Sequence, residues 1–202
     1  MKTIIFAGGD IHPLPRNLIT QNDYIIAADG GYAFAKKLNI TPHITIGDFD
    51  SQNEDEINGK TLRLPTNKND TDTLAAVKHA LAQSATEIII AGALGGRFDH
   101  TFANLQTLLY IKNAGAKAQI IGENVQITLI CNEKVEISKD FYYLSVFAFD
   151  GQAEGVTIKN VKYPLDNAVL TTNFPIGVSN EITGDSAKIS VKCGNLLIIE
   201  QN

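Results

Sequence analysis

Residues 87–100 read Glu-Ile-Ile-Ile-Ala-Gly-Ala-Leu-Gly-Gly-Arg-Phe-Asp-His. The stretch opens on a short apolar run rich in β-branched side chains, as a buried strand requires. It breaks at glycines, then enters 101–114, where Leu105, Leu108 and Leu109 separate from Lys112 into apolar and solvent faces. The order is strand, glycine loop, helix. Further apolar runs lie at 3–7, 24–28, 44–46, 61–64 and 118–121, with helix-like segments at 32–38 and 72–83. In 72–83, Leu74, Val77, Ala80 and Leu81 recur at three- and four-residue steps and predict one buried face. Strands alternating with helices predict a parallel sheet flanked by helices, an α/β domain.

After Gly122 the helical pattern stops. Short strand candidates follow at 125–130, 134–137, 142–149, 155–158, 168–172, 187–191 and 196–200, separated by turn residues such as Asp150-Gly151 and Cys193-Gly194-Asn195. Such spacing predicts an antiparallel sandwich or barrel. The expected organisation is an α/β domain over 1–122 and an all-β antiparallel sandwich over 123–202, joined without a flexible linker.

Composition bounds the function. The chain has 202 residues, 44% hydrophobic and 19% charged, with a net charge of −5 and no basic cluster. That argues against nucleic acid as a partner and leaves room for a small phosphorylated ligand, because a metal ion can reverse the sign of an acidic site. The start is broken by Gly8 and Gly9 too early for a signal peptide, and no apolar run is long enough to span a bilayer. A cytoplasmic protein is expected. Cys131 and Cys193 fit neither a disulfide framework nor a metal knuckle and read as buried structural thiols.

The chemistry gathers where strands pass into helices. Asp29-Gly30-Gly31 follows 24–28, and Gly47-Asp48-Phe49-Asp50-Ser51 follows 44–46. Lys68-Asn69-Asp70-Thr71-Asp72 leads into 72–83, and Gly95-Gly96-Arg97-Phe98-Asp99-His100 leads into the next helix. In open α/β sheets, ligands bind beyond the carboxyl ends of the strands. On extended backbone Asp48 and Asp50 project to one side, with Phe49 toward the core, and two such carboxylates suit magnesium. The same residues also read as an Asp-rich turn with Ser51 capping a helix. Asp70, Thr71, Asp72 and Asp99 each read as helix caps when taken singly. Paired glycines before Arg97 allow close backbone approach to phosphate oxygens, with the guanidinium as a forked donor. Lys68 is a second cation for phosphate. There is no Walker-type loop, no dinucleotide glycine fingerprint and no zinc spacing among the four histidines.

Taken in order, Asp29-Gly30-Gly31, Gly47-Asp48-Phe49-Asp50-Ser51, Thr71-Asp72, Gly95-Gly96-Arg97-Phe98-Asp99-His100 through Asn104, and Gly177-Val178-Ser179-Asn180-Glu181 resemble the thiamin pyrophosphokinase family over essentially the whole chain. The resemblance implies an enzyme that transfers the diphosphate of ATP to thiamin, giving thiamin diphosphate and AMP. It also implies magnesium and a homodimer with thiamin bound where two subunits meet. By that match, Asp48, Asp50 and Asp72 hold the metal, and Asp29, Gly30, Gly31, Lys68, Gly95, Gly96 and Arg97 surround the nucleotide. Ser179, Asn180, Asp99 and His100 face thiamin, and Asp48, Asp50, Asp72, Arg97 and Asp99 carry catalysis. Asp72 and Asp99 are both candidates to accept the hydroxyl proton. The chain departs from the family at Asn69, where an aspartate is common, and Asp70 stands beside it as a substitute. A pyrophosphokinase for another alcohol, such as a pterin, and a non-catalytic sensor are the competing readings.

Overall fold

The isoleucine-rich runs of the first half form parallel strands, each buried on both faces except at the sheet's edge. The computed structural model describes residues 1–49, 57–67 and 69–202. They divide into two compact units, Met1–Glu123 and Asn124–Asn202. In the first unit the strands are β1 (Lys2–Phe6), β2 (Tyr24–Ala28), β3 (Ile44–Gly47), β4 (Lys60–Arg63), β5 (Glu87–Ala91) and β6 (Lys117–Ile121). The helices are α1 (Gly31–Lys37), α2 (Asp72–Ala82) and α3 (Phe98–Asn113). The strand order is β4-β3-β2-β1-β5-β6, all parallel.

The chain winds outward from β1 through β2, β3 and β4, then returns to place β5 on β1's other side. Right-handed crossovers made in opposite directions put their helices on opposite faces. Accordingly Phe34 and Ala35 of α1 pack with Ile4, Phe6, Ile25, Ile89 and Ala91. The intervening Ile5, Ile26, Ile88 and Ile90 are fully buried toward the other face. There α2 packs on β1, β2 and β3 and against α3. The buried stripe of α2 is Thr73, Ala76, Val77 and Ala80, with Leu74 and Leu81 only half-buried. Periodicity therefore found the helix but placed its buried face about one residue off. Small side chains on that face let the helix lie close to the sheet. Among the described residues, no helix is long and apolar enough to cross a membrane.

The second unit holds β7 (Val125–Cys131), β8 (Lys134–Ser138), β9 (Tyr143–Lys159), β10 (Leu165–Thr171), β11 (Ser186–Ser190) and β12 (Cys193–Gln201). They pair antiparallel in the order β7-β12-β9-β11-β8, with β10 also on β9. Leu144, Val146, Ile158, Ile189, Leu196 and Ile198 belong to one buried cluster. Here the turn expected at Asp150-Gly151 is corrected: 142–149 and 155–158 belong to a single strand of 17 residues. Asp150, Gly151 and Gly155 take positive φ of 62°, 107° and 66°. They bend β9 without ending it. Asn195 of β12 stands opposite Phe149 and Cys193 opposite Glu154, so Gly194 alone spans the bend. Beyond it β9 pairs instead with β10 and β11. Cys193-Gly194-Asn195 likewise opens β12 instead of forming a turn. The expectation of two buried thiols fails too, since Cys193 is exposed and Cys131 half-buried.

Glu200 of β12 is 4% exposed, opposite Gln126 and Leu144. Burial raises its pKa from 4.5 to about 7, against the hydrogen bond from Gln126 Nε2 and with help from the Asp140 charge. The folded chain therefore holds this proton more tightly than the unfolded chain does. Its contribution is complete below pH 4.5 and is lost as pH rises through about 7. Glu200→Gln removes the titration, so urea midpoints of mutant and wild type should diverge across that window. The mutant should gain on the order of 2 kcal/mol relative to wild type, allowing for partial solvent screening. Parallel pH curves would contradict the assignment.

Candidate functional site

The carboxyl ends of β2, β1 and β5 meet where the winding direction reverses, the place where open α/β sheets bind ligands. Ala7, Gly8 and Gly9 follow β1, Asp29 and Gly30 follow β2, and Gly92, Ala93, Gly95, Gly96 and Arg97 follow β5. With Thr71, Asp72 and Thr73 at the start of α2, and His100 and Asn104 of α3, they line a cleft of about 450 Å³. Backbone and small side chains make most of this wall, which suits a ligand rich in hydrogen-bond acceptors.

Each residue is held for a local reason. Asp29 ends β2 with φ of 40°, its N–H donating to Ile46 O (2.8 Å) and its carbonyl accepting from Tyr32 N–H (2.9 Å). A left-handed aspartate at a cleft is the kind of backbone strain that gathers at functional positions. Gly47 has no Cβ, and one there would come within 2.9 Å of Asp29 Cβ and 3.1 Å of its Oδ1. The glycine thus makes room for that carboxylate. Thr71 Oγ1 accepts the Leu74 N–H (3.1 Å), capping α2 and setting Asp72 in its first turn. Gly95 has φ of 82°, and a Cβ there would overlap the Asp10 carboxylate.

Arg97 and Asp99 form a two-pronged pair. Arg97 Nε and Nη2 donate to Asp99 Oδ1 and Oδ2 at 3.1 and 2.6 Å. Asp99 Oδ1 also accepts the His100 N–H at 3.0 Å. The Arg97 hydrogen bond holds the Asp99 carboxyl below its ordinary pKa, and the same bond raises that of Arg97. Both side chains are largely exposed, and Asp99 is not among the cleft residues.

Of the residues singled out in the sequence, Asp29, Gly30, Asp72, Gly95, Gly96, Arg97 and His100 come together in the cleft. Gly31 does not line it, and a Cβ there would overlap the Phe6 carbonyl oxygen. That glycine serves the contact between α1 and β1. Asp48 does not line the cleft either, and its carbonyl accepts from Arg63 Nη1 (2.8 Å). Phe49 is buried as expected, but its φ of 56° breaks the extended run. Asp50, Ser51 and Lys68 lie outside the described residues. Asp70 is ion-paired with Lys78 of α2 at 2.6 Å and is absent from the cleft wall. Among the described residues no group of three or more His, Cys, Asp or Glu is arranged to hold a metal.

In the second unit Asn180 is buried and its side chain makes three hydrogen bonds to backbone. Its Oδ1 accepts from Tyr163 and Glu181 N–H (both 3.0 Å), and its Nδ2 donates to Tyr163 O (2.8 Å). Those bonds tie it to the backbone at Tyr163 and Glu181. Ser179 is exposed, with φ of 56° and its N–H donating to Ser145 Oγ (3.0 Å). Sequence pattern alone does not single out Gly8 and Gly9, which line the cleft. The one signal is that Gly8-Gly9-Asp10 follows β1 as Asp29-Gly30-Gly31 follows β2.

Residues 15–120 match the model of the thiamin pyrophosphokinase catalytic domain, and 132–197 match that of the thiamin pyrophosphokinase vitamin B1 binding domain. The chain belongs to the thiamin pyrophosphokinase family. It is 30% identical to the thiamine pyrophosphokinase of Bacillus subtilis (strain 168) over 98% of both chains. It is also 26% identical to thiamin pyrophosphokinase 1 of Caenorhabditis elegans, over 90% of this chain and 80% of that one. A crystal structure of thiamine pyrophosphokinase from Bacillus subtilis superposes with a TM-score of 0.89 at 26% identity, covering 100% of this chain and 99% of the other. As a thiamin pyrophosphokinase, the chain is an enzyme that converts thiamin to thiamin diphosphate, with ATP as the diphosphate donor.

Proposed function

We propose that the cleft at the strand ends of the first unit holds ATP with magnesium, and that the second unit, folded as a sandwich, carries thiamin in a cytoplasmic homodimer. The observation behind this reading is the pairing of the Asp29 and Asp72 carboxylates with a glycine-lined wall in one cleft. Magnesium keeps several waters and takes one or two carboxylates plus phosphate oxygens, a donor set these residues fit. Asp29 and Asp72 would hold it, with Asp48 one residue beyond Gly47 and Asp50 in the same segment. Bound there, magnesium supplies charge neutralisation on the phosphate oxygens.

The chain's own groups do the rest. Glycine-loop amides orient the phosphates, a positioning role that counts for much in phosphoryl transfer. Arg97 offsets charge on the transferring group, and Asp99 fixes the guanidinium by its two-pronged contact. Because that contact lowers its pKa, Asp99 is a poor base and acts as an anchor. The carboxylates lining the cleft are Asp29 and Asp72, and one of the two takes the hydroxyl proton. On the thiamin side Ser179 offers an exposed residue, whereas Asn180 supports the loop behind it. The exposed Phe174, Ile176 and Val178 alternate along one segment and favour a covered surface, as a second subunit would provide.

The test is incubation with ATP, thiamin and magnesium, with thiamin diphosphate and AMP measured as products. Chelation should abolish turnover and added magnesium restore it. Full activity in a metal-free chelated sample would remove the magnesium reading, and a pterin alcohol outperforming thiamin would remove the substrate assignment. A monomeric mass by analytical ultracentrifugation would remove the dimer.

A further inference from the structure

Five successive carbonyls after and at the end of β5 accept hydrogen bonds from outside their own loop. Ala91 O takes the Ala7 N–H (2.8 Å), Gly92 O the Gly9 N–H (2.7 Å) and Leu94 O the Asp10 N–H (2.9 Å). Gly95 O takes the Thr101 hydroxyl (3.4 Å). Ala93 O takes Asn104 Nδ2 at 2.7 Å. By contrast, none of the backbone amides of residues 93–97 donates to a described residue. With its carbonyls tied back, the loop keeps its N–H groups for a ligand, and left-handed Gly95 and Gly96 let the backbone turn tightly beside the cleft.

Asn104 is 6% exposed and the one buried side chain in this set of ties. It reaches from the second turn of α3 back to Ala93, itself 2% exposed, and lines the cleft. The Ala93 carbonyl needs a donor, and an ionised aspartate of the same shape as Asn104 has none. We infer that Asn104 is a positioning residue for the diphosphate transfer, bracing the 92–97 loop so that its amides and Arg97 meet the ATP phosphates. The inference rests on the reading of that loop as the phosphate cradle.

Asn104→Asp and Asn104→Ser test it beside Gly95→Ala, which disturbs the loop directly. Dissociation constants for α,β-methylene-ATP, KM for thiamin, circular dichroism and amide hydrogen exchange of residues 93–97 are measured on each. The expected result for both Asn104 variants is binding of the ATP analogue weaker by about tenfold, the effect of one good hydrogen bond. Thiamin KM should stay within about twofold, and the 93–97 amides should exchange faster in the ligand-free enzyme. If Gly95→Ala weakens the analogue while neither Asn104 variant does, the bracing role is wrong and the cradle stands. If none of the three affects ATP, the cradle reading fails and takes the inference with it. Wild-type exchange at 93–97, or ATP and thiamin losses that only track the folded fraction, would also overturn it. Should Asn104→Asp fail to fold, Asn104→Ser, which adds no charge, decides.

Discussion

Asp72→Asn should lower kcat/KM by roughly 10²–10⁴-fold, the range for losing a group that neutralises charge or moves a proton in the transition state. The fold should survive. Thr71 keeps its cap on Leu74, and asparagine matches aspartate in shape. Part of the structural loss is a first-turn charge on α2, typically about 0.3–1 kcal/mol. Urea unfolding and steady-state kinetics on the same preparation separate the two effects. A midpoint near wild type with turnover nearly lost supports the catalytic role, while near-normal turnover would dismantle the metal and proton-acceptor readings together. Asp70→Asn is the natural control, because Asp70 is engaged with exposed Lys78 and stands outside the cleft. Its effect on turnover should be small.

Gly31→Ala should act on stability. The added Cβ would overlap the Phe6 carbonyl at the point where α1 meets β1, and both partners there are backbone. Neither can rotate away, so helix and strand must separate beside the fully buried Phe6 and Phe34. Overpacking of this kind costs on the order of 3 kcal/mol. The measurement is the denaturant midpoint, with the KM for ATP on the folded fraction expected within about threefold of wild type. Unchanged stability with weakened ATP binding would return Gly31 to the nucleotide-binding role that the sequence motif implies.

The two substitutions mark how far local sequence reaches. Asp29-Gly30-Gly31 reads as one motif, yet the first two residues line the cleft and the third makes a packing contact. Asp70 and Asp72 are also two apart, but Lys78 has claimed Asp70. Asp99 is one of two candidate bases by its motif, and only the structure shows Arg97 closed upon it in a two-pronged pair. In the second unit, Asp150-Gly151 has turn chemistry and does bend the chain, but β10 and β11 offer new partners and the strand continues.

Pattern along the chain was sufficient to determine the α/β character of the first unit, the strand-rich second unit and the gathering of Asp and Gly at strand ends. Those features follow from periodicity and backbone preference, which neighbouring residues decide among themselves. Tertiary structure alone decided which carboxylates share a cleft, which are consumed by ion pairs, and that Asn104 braces Ala93. Those outcomes depend on partners brought together from distant positions, and a side chain's hydrogen bonds are settled by what arrives beside it.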